Sequence, residues 1–150
     1  MAFIKLLHLL SVVVWVGGMF FAYVILRPIA AEILQPPERL QLWNKVFNLF
    51  FKWVWVAIFL ILVTGLSMIH QFGGMLQVPK YIHEMLLLGT IMMAIFAYVF
   101  FVPYANFKLA VSSTDWPKAG AILATIRKLV ATNLLLGVLA IIVVELTRYI

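Results

Sequence analysis

Long apolar runs separated by short charged stretches divide this chain of 150 residues. Charged side chains or histidines bound the runs at 6–26, 53–69, 85–107 and 129–144. A helix that crosses the hydrocarbon core needs about 20 mostly apolar residues, with a range of about 17–25. In lipid such a segment must satisfy its own backbone hydrogen bonds. The pattern therefore predicts an all-α membrane protein, one domain over 1–150 folded as an antiparallel bundle of four transmembrane helices.

Polar residues between the runs predict where the helices begin and bend. Pro36-Pro37 is typical of a first helical turn, so we expect the second helix to begin there, well before its apolar run. Ser113-Thr114-Asp115, followed by Pro117, predicts the cap and first turn of the fourth helix. Proline inside a helix removes a hydrogen bond, so Pro103 predicts a kink in the third helix.

Composition agrees with a lipid environment. Hydrophobic residues make up 66% of the chain and charged residues 11%, against about 45–50% and about 25% in soluble domains. The absence of cysteine excludes disulfides and thiolate chemistry. The net charge of +6 comes from basic residues at the ends of apolar runs. This placement favours the lipid bilayer as the partner, with contacts to anionic headgroups, and not nucleic acid.

The distribution of basic residues predicts the orientation in the membrane. Eight of the 11 lysines and arginines flank the first and third connections. The positive-inside rule then places both termini and the second connection outside the cytoplasm. The eight are Arg27, Arg39, Lys45, Lys52, Lys108, Lys118, Arg127 and Lys128, and the others are Lys5, Lys80 and Arg148.

All three histidines of the chain fall at the outer side in this topology: His8, His70 and His83. His8 lies within an apolar run, where an ionisable residue normally faces the bundle or a cavity. At 100° per residue it shares a face with Ser11, Val12, Trp15, Met19 and Ala22, which we expect to point inward. His8 could equally be a hydrogen-bonded core histidine, and His70 and His83 could be interfacial residues of a short loop.

The start of the third helix adds further candidates. His83 shares a face with Thr90, Ala94 and Ala97, whose small side chains leave room for a flat ligand or a close helix. Lys80 and Tyr81 lie about one turn or less before His83, whereas Met85 points away from it. Small residues are equally typical of ordinary helix packing in membranes.

Residues 7–20, LHLLSVVVWVGGMF, resemble the first-helix signature of the CopD copper-resistance domain. They are also similar to the HemJ-type four-helix membrane proteins, which oxidise protoporphyrinogen and carry haem b. The Arg27-Pro28 end of the helix fits this pattern, and the resemblance extends more weakly over 81–86 and 127–137. The resemblance implies a multi-pass protein of the bacterial inner membrane, with both termini on the periplasmic side.

The resemblance also implies a haem b or copper role with His8 as a ligand. In the HemJ type, a histidine on the third helix is followed two residues later by a lysine that serves the haem. His83 matches that histidine, but Met85 stands where the lysine would be. This departure argues against protoporphyrinogen oxidation and leaves open whether the chain is an enzyme. His8 with His83, or His8 with Met85, would be the axial pair.

Three hypotheses follow. The first is a haem b redox protein, a possible membrane oxidoreductase, with the haem near the outer leaflet and a quinone or another redox partner. Trp15 and Tyr81 would pack around the haem, and Lys80 or Arg148 would pair with its propionates.

The second hypothesis is copper binding or uptake, because Cu(I) favours thioether and imidazole ligands. These would be Met68, His70, Met75, His83 and Met85. The third is a cofactor-free accessory subunit. A homodimer would add buried area that four helices alone lack.

Overall fold

The structure is a computed structural model that describes residues 1–147. It contains four helices long and apolar enough to cross a membrane: α1 (Ala2–Ile33), α2 (Pro36–Gln71), α3 (Lys80–Ser112) and α4 (Trp116–Thr147). Short connections join successive helices, so neighbours along the chain run antiparallel. The predicted fold class, an all-α bundle of four transmembrane helices, is confirmed. Arg148 lies outside the described residues.

The starts of α2 and α4 follow the local chemistry that the sequence predicted. Helix α1, by contrast, does not end at Arg27-Pro28 as expected but continues to Ile33. Helix α2 begins with its two prolines, and the Gln35 N–H before them donates to Glu38 Oε2 at 3.4 Å. Helix α4 begins after Asp115, whose Oδ1 accepts a hydrogen bond from the Lys118 N–H at 3.3 Å. Such bonds satisfy amides that have no partner within the first turn of a helix.

A break at Val102 divides α3 into two segments, Lys80–Phe101 and Pro103–Ser112. Val102 has φ −113° and ψ −81°, outside the helical range, because the proline that follows cannot continue the hydrogen-bond ladder. The kink predicted from Pro103 is confirmed. The second segment contributes Tyr104, 2% exposed, and Phe107, fully buried, to the core.

Helix α1 contains two wide π turns, at Val13–Gly17 and Phe21–Leu26, that the sequence did not predict. Such turns occur mostly as local bulges and frequently near functional sites. The predicted inward face is nevertheless confirmed for four of its five members, because Ser11, Trp15, Met19 and Ala22 are buried. Val12, the fifth, is half-buried.

Helix α1 packs along α2, and α3 packs along α4. Close contacts depend on glycine at two places. A Cβ added at Gly18 would lie 2.3 Å from the Phe50 ring of α2. A Cβ added at Gly137 of α4 would lie 2.9 Å from Val16 and 3.1 Å from Met92. Close approach through small residues is the usual way in which membrane helices gain packing contacts.

The large aromatic side chains concentrate toward the end of the bundle that carries the first and third connections, which we call the basic end. Phe47 stacks on Phe51 at 5.0 Å between ring centroids and meets Tyr104 and Phe107 edge-on at 6.0 Å. The opposite end, which carries the three histidines, is the histidine end. It holds a separate small cluster of Ile69, Val78 and Ile82. The main core therefore lies between the basic end and the middle of the bundle.

Candidate functional site

The His8 ring points toward helix α2. Its Nδ1 lies 2.8 Å from the hydroxyl oxygen of Thr64, a side chain that is only 4% exposed. His8 itself is half-buried. The expectation that His8 faces the bundle is therefore confirmed, while its role as a metal ligand stays a prediction.

The hydrogen bonds around Thr64 favour one tautomer of the His8 ring. The Thr64 hydroxyl donates to the Leu60 carbonyl one turn earlier in α2. Its oxygen is then available to accept a hydrogen bond from His8 Nδ1, and in that tautomer the imidazole keeps a lone pair on Nε2. Histidines that bind metals are commonly held in this way, with one nitrogen fixed by a hydrogen bond and the other free to coordinate.

Gly65 keeps the α2 backbone close to the same ring. A Cβ added at Gly65 would lie 3.6 Å from His8 Cε1, an ordinary van der Waals contact. An alanine would therefore fit beside the ring, but a longer side chain would have to compete for the space next to it. Thr64 and Gly65 together fix the position of the imidazole from one side.

His83 lies in a different environment. It is exposed, and its Nδ1 is 3.4 Å from the Pro79 carbonyl at the start of its own helix. Thr90 and Ala94, which share its face, are exposed as well. Ala97, farther along the same face, is half-buried. The part of this face nearest His83, which we expected to leave room for a ligand or a close helix, is therefore uncovered in the described chain. The second-ligand role of His83 stays a prediction.

The remaining candidates are spread over the histidine end and the core. The Lys80 side chain is 91% exposed, with its Nζ 3.7 Å from Glu84 Oε1. Tyr81 packs on the small cluster at the histidine end. His70 is exposed and Met85 half-buried.

Trp15 lies deeper in the bundle than these residues. It is 3% exposed and meets the Phe96 ring edge-on at 6.3 Å. The described part of the chain contains no group of three or more His, Cys, Asp or Glu side chains that could hold a metal ion. Among the candidate ligands, His8 is the one whose ring is held by a buried side chain of another helix, Thr64.

A second candidate site, which the sequence reasoning missed, is a cavity of about 300 Å³ at the basic end. It lies between α1, α2 and α4, and we call it the basic cavity. From the sequence, its arginines predicted membrane topology and contacts with anionic headgroups, but no cavity there. The sequence of α4 contains one indication of this site, because Trp116, Gly120 and Arg127 are spaced so that they share one helical face. Three arginines and four aromatic residues line the cavity: Arg27, Arg39, Arg127, Tyr23, Trp43, Phe47 and Trp116.

The basic cavity has positive charge without a nearby counterion. The Arg27 guanidinium lies over the Tyr23 ring at 4.4 Å, and its buried Nε has no hydrogen-bond partner. The one ion pair among residues 1–147 is that of Lys80 with Glu84 at the histidine end. The three arginines of the cavity therefore have no carboxylate within ion-pair distance in the described chain.

Comparison with known proteins gives one family. The family model described as CopD, copper resistance protein D, matches residues 44–146, well over half of the chain. No curated protein and no solved structure matches. The match covers α2, α3 and α4 but not residues 7–20, so His8 lies outside the matched stretch. The similarity to HemJ-type proteins stays a prediction.

Proposed function

This chain belongs to the CopD, or copper resistance protein D, family of membrane proteins, and we propose that it binds haem b through His8 and acts in electron transfer. The observation that carries the proposal is the fixed His8 ring. Thr64 holds Nδ1 at 2.8 Å, and the free Nε2 is the atom that would coordinate iron.

The available donors fit haem better than a metal ion held by protein alone. Haem iron takes four nitrogens from the porphyrin and needs only one or two ligands from the protein. A copper site made of side chains needs several donors close together. Residues 1–147 offer no cluster of three His, Cys, Asp or Glu side chains, so such a site would have to include methionine thioethers, whereas His8 offers one well-oriented imidazole. One well-oriented imidazole can therefore supply a protein ligand that haem iron requires.

In this proposal His8 is one axial ligand, and His83 or Met85 is the candidate for the other. Lys80, Trp15 and Tyr81 remain candidates for contacts with the propionates and the ring. Bound haem would supply one-electron chemistry, with a quinone or another redox partner at the membrane. Thr64 would keep the imidazole in one tautomer and orientation. The site would lie near the outer leaflet of a bacterial inner membrane, with both termini periplasmic.

The test is the absorption spectrum of protein purified from haem-replete cells, recorded oxidised and reduced. We expect a Soret band that shifts on reduction and is lost in His8→Ala. His70→Ala is the matched control, because the exposed His70 has no expected axial role; this variant should keep the band. A colourless wild-type protein, or an unchanged band in His8→Ala, would contradict the proposal.

Copper is a second candidate because the family description names copper resistance. Cu(I) favours thioether and imidazole ligands, and His70, Met68 and Met75 lie close in sequence at the histidine end. We would then expect purified protein to retain stoichiometric copper by elemental analysis. Combined Met68→Ala and His70→Ala should remove the copper. The same double variant should leave a haem spectrum unchanged, so the two candidates give opposite results.

A further inference from the structure

The basic cavity combines features that point to one class of ligand. Its three arginines have no carboxylate partner in the described chain, and the buried Nε of Arg27 donates to nothing. Leaving a buried donor without a partner is unfavourable, so a ligand with acceptor oxygens would be favoured there. Guanidinium groups bind phosphate and carboxylate through paired, charge-assisted hydrogen bonds. The polar part of the ligand is therefore an oxyanion.

The rest of the cavity is apolar. Phe47 on α2 and Val130 on α4 line it beyond Trp43 and Arg127, about one helical turn farther into the bundle. A free inorganic anion would leave this apolar part unfilled. An anion with a hydrocarbon tail would fill both parts, and basic pockets between transmembrane helices bind lipid headgroups in other membrane proteins.

We propose that the basic cavity binds the phosphate group of an anionic phospholipid, with Arg27, Arg39 and Arg127 around the phosphate and an acyl chain against the aromatic wall. The lipid would enter from the leaflet at the basic end and would hold α1, α2 and α4 together there. This site is separate from the one proposed around His8, because it uses different residues at the opposite end of the bundle.

The test measures phospholipid binding to delipidated full-length protein in detergent. The probes are dioleoyl-phosphatidylglycerol, dioleoyl-phosphatidylcholine and inorganic phosphate, and the readouts are an apparent Kd in mixed micelles and the shift in Tm. We expect phosphatidylglycerol to bind and raise Tm. Phosphatidylcholine and millimolar inorganic phosphate should bind more weakly and should raise Tm less.

Charge variants test the role of the arginines. Arg27→Gln and Arg127→Gln should each weaken phosphatidylglycerol binding about tenfold or more, since each loses a charge-assisted hydrogen bond. Lys128→Gln is the matched control, because it removes the same charge from the next position without lining the cavity. Equal weakening by Lys128→Gln would mean general surface attraction and would overturn the proposal.

A steric variant keeps the test valid if a charge variant fails to fold. A Cβ added at Gly120, which lines the cavity, meets no atom within 4 Å. Gly120→Leu should therefore fold, fill the cavity and weaken lipid binding about tenfold, with all three arginines intact. Gly120→Ala should bind as the wild type does. Undiminished binding by Gly120→Leu, or equal stabilisation by phosphatidylcholine or by inorganic phosphate, would overturn the proposal.

Discussion

Replacing Thr64 with valine removes the hydroxyl that fixes the His8 ring while nearly keeping the shape of the side chain. The hydrogen bond to His8 Nδ1 is 2.8 Å long, and Thr64 is almost fully buried. Without the hydroxyl, the half-buried His8 ring loses its side-chain hydrogen-bond partner, and a typical hydrogen bond contributes about 0.5–1.5 kcal/mol. The ring then gains freedom to rotate or to change tautomer. Coordination through Nε2 loses its preorganisation.

The expected loss of haem affinity follows from what is typical of residues that orient metal ligands through hydrogen bonds. Loss of such a partner typically weakens metal binding about 10–100-fold, and a factor of ten corresponds to about 1.4 kcal/mol. We therefore expect Thr64→Val to raise the apparent Kd for haem about 10–100-fold. Titration of haem into the apoprotein, followed at the Soret band, measures this change. Thr64→Ser, which keeps a hydroxyl, should bind haem nearly as the wild type does.

Thr90→Val is the matched control for this prediction. Thr90 is exposed, and its hydroxyl also donates to a carbonyl of its own helix, that of Leu86, at 2.7 Å. The two substitutions make the same chemical change, but only Thr64 contacts His8. Equal haem affinity in Thr64→Val and wild type, or an equal loss in Thr90→Val, would refute the reasoning about the orientation of the ring.

Two further predictions concern the stability of the bundle, each measured as the free energy of unfolding in mixed detergent. Gly18→Ala should destabilise it by about 1–3 kcal/mol, because the new Cβ would meet the Phe50 ring at 2.3 Å; Gly89→Ala, with open space around its Cβ, should not. Phe107→Ala should cost about 3–5 kcal/mol through lost packing around a fully buried ring, whereas Leu109→Ala, at a side chain that is 68% exposed, should have little effect. The opposite order within either pair would contradict the packing described for α1 or α3.

The number of helices and the starts of α2 and α4 were predictable because lipid leaves few alternatives. The end of α1 was not, since Pro28 lies in the first turn of a helical segment that continues to Ile33. A long apolar run in a membrane has to be helical, and the prolines at the start of α2 and in α3 act through local backbone geometry. The face of a helix was harder to predict, since both lipid and core are apolar. On α1, Ser11 and His8 indicated the inward side correctly. On α3, Thr90 could face outward because its hydroxyl is satisfied within the helix.

The basic cavity could not be predicted from the sequence because its lining residues are far apart in the chain and come together only in the folded bundle. Arg27, Arg39 and Arg127 come from three different helices. Each of them is individually typical of the basic residues that flank a transmembrane segment. Only the packing of α1 and α2 against α4 brings them around one space. Whether a carboxylate lies within ion-pair distance of these arginines likewise depends on the folded structure.

The two proposed sites are separated by a packed core, so they should respond independently to mutation. Between them lies a void of only about 10 Å³, bordered by Trp15, Phe51 and Phe96, about the least space that holds one water. Distant sites without shared partners usually behave additively. Gly120→Leu should therefore leave the haem spectrum unchanged, and His8→Ala should leave the affinity for phosphatidylglycerol unchanged. If either variant altered the distant site, the rigid core would have to transmit the change, and lipid binding would be coupled to the chemistry at His8.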